Sequence, residues 1–268
     1  VLFRSIAKKY NVGFLALLQA NPGVDPYVPR AGSVLTIPLQ TLLPDAPREG
    51  LVINLAELRL YYYPPGKNEV TVYPIGIGQL GGTTITPTMV TTVSDKRANP
   101  TWTPTANIRA RYKAMGIELP AVVPAGPDNP MGHHAIRLAA YGGVYLLHGT
   151  NADFGIGMRV SSGCIRLRDN DIKALYNTIS PGTKVNIINT PIKASVEPDG
   201  RRLVEVHQPL SEHIDDDPQT LPITLNAAMT AFKQAPQTDG TVMERAMNYR
   251  SGMPIDVTRH AEPGPQSL

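Results

Sequence analysis

Short segments in which apolar positions alternate with polar ones, or run together as β-branched and aromatic residues, make up most of the middle of the chain. Such segments predict strands, because side chains alternate between the two faces of a sheet. The segments are Leu51–Leu55, Leu58–Tyr63, Val70–Gly78, Ala135–Leu138, Gly143–Leu147 and Gly182–Ile188. Residues 83–99 are rich in threonine and are expected to be extended. Trp102–Asn129 shows few strand signals and is expected to be irregular, as functional covers often are.

The pattern differs at the two ends of the chain. Phe3–Tyr10 and Phe14–Asn21 have helical spacing and are separated by a break at Asn11–Gly13, and Val34–Pro38 then predicts a strand. Near the other end, Arg201–Val206 predicts a strand. Two further helices are predicted there, over Leu225–Lys233 and Val242–Asn248.

These patterns divide the chain into four parts. Residues 1–39 form a small helix–helix–strand unit, residues 40–50 form a proline-containing linker, residues 51–190 form a β-rich domain, and residues 191–268 form a C-terminal unit of mixed α/β character. The 26 prolines and 23 glycines among 268 residues also favour a turn-rich, mainly β protein.

Composition and charge exclude several classes of function. The net charge is only +3, and no basic run or RNA-binding signature is present, so we expect no nucleic-acid partner. No run of 18 apolar residues is present, so we expect no transmembrane segment. One cysteine and scattered histidines lack the spacing of a zinc site, so neither a metal nor a cofactor is expected.

The chemistry-bearing stretch is residues 148–168, which contains the single cysteine, Cys164. The apolar run Val144–Leu147 leads to His148, sixteen positions before Cys164. Ser161–Gly163 is a polar turn, and Asn170–Tyr176 after it predicts the start of a helix. A thiol at the end of such a turn is placed to act as a nucleophile if a base such as His148 lies beside it. A lone cysteine can equally be a small buried apolar residue, and the residues alone leave both interpretations open.

The motifs His148-Gly149-Thr150 and Ser161-Ser162-Gly163-Cys164-Ile165-Arg166 resemble the signature of the L,D-transpeptidases, which have the YkuD-type fold. The resemblance extends over about residues 50–190 and is closest to the periplasmic enzymes that carry a LysM module in front. It implies a β-sandwich catalytic domain behind a small α+β LysM module that lacks its usual first strand. Many members have a histidine two positions before the cysteine; this chain has Ser162, so no second imidazole is expected at that place.

The resemblance also implies roles for individual residues. Cys164 is expected to be the nucleophile, His148 the general base and acid, and the Gly149 carbonyl the group that orients the imidazole. Backbone N–H groups of Ser162, Gly163 and Cys164 are expected to form the oxyanion hole. Residues expected to contact the substrate are Arg166, Thr150, Asn129, Gly132 and His134.

The substrate and partners are likewise implied. The family cleaves tetrapeptide stems of peptidoglycan between meso-diaminopimelate and D-alanine through a cysteine thioester, and carbapenems acylate the same cysteine. In the most similar members the acceptor is the C-terminal lysine of the outer-membrane lipoprotein, which places the reaction in the periplasm. Three alternatives remain open from the sequence: a 3–3 cross-linking enzyme, a cysteine hydrolase, and a peptidoglycan-binding module.

Overall fold

The computed structural model describes residues 2–80 and 85–260, and within them strands predominate, which confirms the mainly β fold. The strands are β1 (Gly50–Asn54), β2 (Arg59–Tyr63), β3 (Thr71–Pro74), β4 (Ile77–Gly78), β5 (Met89–Ala98), β6 (His134–Leu138), β7 (Leu146–His148), β8 (Arg159–Ser161), β9 (Ile165–Arg166), β10 (Lys184–Ile188), β11 (Ile192–Val196), β12 (Arg202–Val206) and β13 (Pro254–Asp256). The α-helices are α1 (Phe3–Lys9), α2 (Phe14–Ala20), α3 (Ala106–Ala114), α4 (Asp169–Thr178), α5 (Ala227–Gln234) and α6 (Gly240–Tyr249).

An eight-stranded sheet with the order β3-β2-β1-β10-β5-β6-β7-β9 forms the centre of the molecule. Most neighbours are antiparallel, but β1 pairs with β10 and β7 pairs with β9 in parallel. Helix α4 packs against one face, and its Ile172 and Leu175 are fully buried with Ile136 and Leu147 of the sheet. Each such side chain removed from water contributes about 1.5–3 kcal/mol, so this face holds the main core. The opposite face carries a smaller buried cluster on β1 and β2, with Val52, Tyr61 and Tyr63.

The segment predicted as one strand over Val70–Gly78 is two strands in different sheets, so that prediction is wrong. Strand β3 pairs with β2, whereas β4 pairs with β8. The chain changes partner at Gly76, which exchanges two backbone hydrogen bonds of 2.8 Å with Arg166. A Cβ on Gly76 would lie 2.8 Å from the carbonyl oxygen of Gly155, so only glycine allows this approach.

Strand β5 contains a β-bulge at Ser94. Val93 lies opposite Leu138, and Asp95 lies opposite the adjacent residue Arg137, so Ser94 is the extra residue. Because side chains alternate along a strand, the extra residue reverses the orientation of everything after it. Before the bulge Val93 points into the core; after it Asp95 and Arg97 share the opposite face with Arg137.

Two other expectations in this domain need correction. The region Trp102–Asn129 contains helix α3, whose N-cap Thr105 accepts a hydrogen bond from the Ile108 N–H. None of the residues of α3 is buried, so the sequence has no apolar stripe that would predict this helix. Strand β7 begins at Leu146 rather than Gly143, because the chain first makes a 3-10 turn in which Tyr141 adopts a φ of 51°.

The N-terminal unit contains both predicted helices, but the strand predicted over Val34–Pro38 is absent among the described residues. The segment is held by Asn21 instead, whose side-chain amide donates to the Thr36 carbonyl and accepts from the Thr36 N–H at 2.8 and 2.7 Å. No described strand lies beside it to form a ladder, so a side chain satisfies its backbone.

The C-terminal unit is a three-stranded sheet, β11-β12-β13, covered by α6 and α5. The strand predicted over Arg201–Val206 and both predicted helices are present. Strands β11 and β13 were not predicted. The expected extension of residues 83–99 is observed in β5, and residues 83–84 lie outside the described part of the chain.

Candidate active site

The parallel pairing of β7 with β9 brings the predicted cysteine and histidine to one face of the sheet. Leu147 lies opposite Ile165 and His148 opposite Arg166. The same register places Cys164, which directly precedes β9, opposite Leu146. Because side chains alternate, Cys164 and His148 point to the same face as diagonal neighbours, a relation that spans about 7–8 Å between backbones. Both line one cavity of about 390 Å³.

His148 is buried and held in one tautomer. Its Nδ1 lies 2.6 Å from the Gly149 carbonyl oxygen, which can only accept, so the proton is assigned to Nδ1 and Nε2 carries the lone pair. Burial and the nearby Arg166 guanidinium lower the pKa of His148 to about 4. The imidazole is therefore neutral near pH 7 and able to accept a proton.

Cys164 is a free, half-buried thiol. Burial raises its pKa, against the opposing influence of a backbone hydrogen bond with Leu146 and of the Arg166 and Arg137 charges. The resting pair is thus a neutral thiol and a neutral imidazole. The sequence predicts a thiolate–imidazolium pair, formed when His148 takes the Cys164 proton. The pKa directions favour a neutral resting pair instead, in which the proton moves as the nucleophile attacks.

The turn before Cys164 is fixed by two hydroxyl groups. Ser161 Oγ donates to the Cys164 carbonyl at 2.5 Å, and Thr86 Oγ1 donates to the Gly163 carbonyl at 2.8 Å. Gly163 has a φ of 101°, which favours glycine. No described residue accepts a hydrogen bond from the N–H of Ser162, Gly163 or Cys164. That these N–H groups form the oxyanion hole stays a prediction.

The cavity is strongly basic. Arg97, Arg137 and Arg166 all line it. Arg166 Nε is buried without a hydrogen-bond partner among the residues that the structure describes, and Arg137 donates through Nη1 to the Gly143 carbonyl. Three guanidinium groups in one cavity favour a substrate that carries carboxylates. Sequence reasoning identified Arg166 but missed Arg97 and Arg137; the signal for Arg137 was a charged residue within an apolar strand.

The other predicted substrate contacts lie behind the wall of the cavity rather than in it. Asn129 uses its amide nitrogen for the Pro100 and Pro124 carbonyls and its oxygen for the Met131 N–H. It therefore holds the loop that carries Met131, a residue of the wall. Gly132 packs against the chain at Thr150, where a Cβ would lie 2.7 Å from the Thr150 nitrogen.

Thr150 and His134 each make a contact within the chain, although the buried Nδ1 of His134 has no hydrogen-bond partner among the described residues. Thr150 Oγ1 accepts from the Ala152 N–H, and the His134 ring packs 4.8 Å from the ring of Tyr176. Neither residue lines the cavity. Direct substrate contact by Thr150, His134, Asn129 or Gly132 stays a prediction.

One cluster in the described part of the chain has the geometry to hold a cation, but it is already neutralised. Glu57, Glu205 and His207 are buried together away from the cavity. Lys193 Nζ lies 2.6 Å from Glu57 and 3.0 Å from Glu205, and Arg59 lies 2.7 Å from Glu205. The side chains of Lys193 and Arg59 therefore already pair with the carboxylates that a metal ion would need.

A thiol at the end of a tight turn and a neutral imidazole on the same sheet face are the arrangement of a cysteine acyltransferase. Comparison with known families agrees. The L,D-transpeptidase catalytic domain matches residues 48–187, the LysM domain matches residues 3–38, and the L,D-transpeptidase C-terminal domain matches residues 191–257. The chain belongs to the L,D-transpeptidase family and is a cysteine enzyme that acts on peptidoglycan.

Three curated proteins of Escherichia coli are similar over nearly the whole chain. The probable L,D-transpeptidase YcfS is 85% identical over 264 residues, covering 98% of this chain and 82% of the relative. The probable L,D-transpeptidase YbiS is 52% identical over 251 residues, covering 93% and 81%. The probable L,D-transpeptidase ErfK/SrfK is 50% identical over 258 residues, covering 95% and 81%. Among the described residues, none of the helices has both the length and the apolar character needed to cross a membrane.

Proposed function

We propose that Cys164 takes the acyl group of a peptidoglycan tetrapeptide stem, at the bond between meso-diaminopimelate and D-alanine, and passes it to an amine. The observation that carries the proposal is that Cys164 and His148 share one face of adjacent strands in a cavity lined by three arginines. The carboxylates of a stem peptide match that positive charge.

The proposed reaction proceeds in two acyl transfers. The Cys164 sulfur attacks the scissile carbonyl carbon while His148 Nε2 takes the thiol proton. The N–H groups of Cys164 and of Gly163 or Ser162 stabilise the oxyanion, each worth about 3 kcal/mol in the barrier. His148 then gives the proton to the departing amine of D-alanine, leaving a thioester. An acceptor amine attacks that thioester, loses a proton to His148, and Cys164 departs as the thiol.

We propose that the acceptor is the C-terminal lysine of the outer-membrane lipoprotein, and hence that the enzyme works in the periplasm. A second hollow of about 410 Å³ adjoins the catalytic cavity and shares Ile108, Val144 and Ser162 with it. It supports the proposal because it offers an acceptor peptide a separate approach to the thioester. In the same proposal, residues 3–38 bind the N-acetylglucosamine-containing backbone of peptidoglycan.

The test is a competition among acceptors. A tetrapeptide donor is mixed with a lysine-ended lipoprotein peptide and excess stem, and the products are identified by mass spectrometry. We expect a stem–lipoprotein conjugate as the main product. Mostly free tripeptide indicates a hydrolase, and mostly stem dimer indicates a 3–3 cross-linking enzyme.

The same preparation tests the nucleophile. We expect a carbapenem to add one covalent mass to the protein and Cys164→Ala to take up none. A Ser162→Ala variant, two positions before Cys164, is the matched control and should still be acylated, because alanine keeps the backbone N–H that the proposed oxyanion hole uses. Covalent uptake by Cys164→Ala would contradict the assignment.

A further inference from the structure

The bulge at Ser94 creates a second row of side chains beside the catalytic residues. On the cavity face, Asp95 of β5 lies opposite Arg137 of β6, Arg137 lies opposite Leu146 of β7, and the β7–β9 register continues this row to Cys164. Without the extra residue, Asp95 would point into the core. Lys96 shows the alternation, since it reaches the opposite face and bonds to the Tyr176 and Ile179 carbonyls of α4 and its end.

A small recess lies beside the catalytic cavity at the far end of this row. Its volume is about 60 Å³, and its charged lining consists of Asp95, Arg97 and Arg137. Met131 and Leu146 line both the recess and the catalytic cavity, so the two are neighbours with a common wall. Adjacent strands are about 4.8 Å apart, so Arg137 stands about 9.6 Å along the sheet from Cys164.

The charges of the recess are available to a ligand. Asp95 and Arg97 form an ion pair at 3.1 Å with side chains 47% and 68% exposed, and pairs this exposed stabilise a fold by only about 0–1 kcal/mol. The hydrogen bond from Arg97 lowers the pKa of Asp95, which keeps the carboxylate ionised. Arg137 forms no ion pair with any described residue. Two guanidinium groups therefore face one carboxylate.

We propose that this recess binds an α-amino acid head group at the end of the donor side chain, with its carboxylate on Arg137 and its ammonium on Asp95. The proposal rests on the proposed function and deepens it. Diaminopimelate carries such a head group a short alkyl chain away from the scissile carbonyl, which matches the placement of Arg137 two strands from Cys164. Asp95 and Arg137 are thus specificity-determining residues for the donor.

Two donor peptides test the contacts with Arg137 and with Asp95 separately. One tetrapeptide carries meso-diaminopimelate; the other carries lysine at the same position, which keeps the terminal ammonium and lacks the carboxylate. We expect Arg137→Gln to lower kcat/KM for the diaminopimelate donor about 10-fold to 100-fold, mainly through KM, and for the lysine donor less than about 3-fold. Asp95→Asn should lower both by about 10-fold.

The matched control is Asp199→Asn. Asp199 and Arg201 form the same Asp-x-Arg ion pair, at 2.7 Å, in the turn between β11 and β12. We expect this variant to treat both donors as the unmodified enzyme does. Acylation by a carbapenem reports folding and nucleophile competence in every variant, and it should be unchanged in the Asp199→Asn control; for the Asp95 and Arg137 variants, each donor's kcat/KM is compared with that variant's own rate of acylation.

The outcomes test the head-group site separately from the proposed transpeptidase function. An Arg137→Gln variant that loses both donors equally, or an Asp95→Asn variant that loses neither, overturns the head-group site while the transpeptidase assignment stands. An unmodified enzyme that a carbapenem acylates but that uses neither donor overturns the proposed function and the inference with it. If Arg137→Gln fails to fold, Arg137→Lys takes its place. We expect this variant to lose part of its kcat/KM for the diaminopimelate donor only. Equal losses of kcat/KM for both donors would overturn the head-group site.

Discussion

At the scale of single residues, the reactivity of this site depends on burial more than on any one charge. Burial lowers the pKa of His148 and raises that of Cys164, so each group is kept neutral by the same low-dielectric surroundings. Cys164 and His148 therefore both stay uncharged in this basic cavity until the thiol attacks a substrate. The Gly149 carbonyl then decides which imidazole nitrogen carries the proton.

This leads to a prediction for the pH dependence of acylation. As pH falls through about 4, His148 becomes protonated in the folded protein and can no longer accept the thiol proton. We expect the rate constant for acylation by a carbapenem to be nearly constant from pH 5 to 7 and to fall about tenfold per unit below about 4. A loss already centred near 6.5 would show that the imidazole is not held neutral. Trp102 fluorescence at each pH serves as the control for unfolding.

At the scale of elements, the N-terminal unit is joined to the strand that leads into the catalytic turn. The first residues of α2 donate backbone hydrogen bonds to the segment before β8: Phe14 N–H to the Ile156 carbonyl and Leu15 N–H to the Gly157 carbonyl, both at 3.2 Å. Strand β8 then runs to Ser161, whose hydroxyl fixes the Cys164 carbonyl. The position of the N-terminal unit is thereby connected to the turn that presents the thiol.

Gly157→Ala tests this connection. Gly157 has a φ of 79°, and a Cβ there would lie 2.3 Å from Gly13 Cα, so the two units must separate. We expect a loss of unfolding free energy about 2 kcal/mol greater than for the control Gly182→Ala, together with slower carbapenem acylation. Gly182 has a similar φ of 88° but open space around it, so it reports the backbone strain alone, about 1–2 kcal/mol. Equal stability losses in the two variants would contradict the tight contact.

At the scale of the whole molecule, a buried charge network joins the catalytic domain, the linker and the C-terminal unit. Glu57 and Arg59 come from the β1–β2 hairpin, Lys193 and Glu205 from β11 and β12, and Thr41 from the linker hydrogen-bonds to Glu205. Lys193 and Glu205 are almost fully buried. The surrounding cations and His207 hold the pKa of Glu205 well below its usual range, in spite of its burial.

Removing one cation from this network should be costly. We expect Lys193→Met to lower the free energy of unfolding by about 3–5 kcal/mol, because it leaves Glu57 and Glu205 short of positive charge in the interior. The measurement is urea unfolding, with Lys184→Met as the control. Lys184 pairs with Glu49 at 2.8 Å on the surface, with side chains 64% and 53% exposed, so its loss should cost at most about 1 kcal/mol. Similar values for the two variants would show that the network does not join the units.

The sequence by itself determined most of the strands, five of the six described helices and the part of the chain where chemistry takes place. Alternation and apolar runs are local properties, so β1, β2, β6 and β10 could be predicted from neighbouring residues alone. Helix α3 and strands β11 and β13 could not, because α3 has no buried face and the two strands are defined by their partners. The prediction of a strand over Val34–Pro38 is wrong for the same reason, because an apolar extended stretch becomes a strand only where another strand lies beside it.

Cys164, His148 and Arg166 were candidates from their motif, but only the tertiary structure decided that they meet. The meeting depends on the register of β7 against β9, and register is set by the packing of a whole sheet face, not by any one residue. The bulge at Ser94 is the clearest example of a feature that only the tertiary structure decided. One extra residue, invisible in the alternation, turned Asp95 and Arg97 from the core to the cavity, because the period of a strand is two and a shift of one residue exchanges its faces.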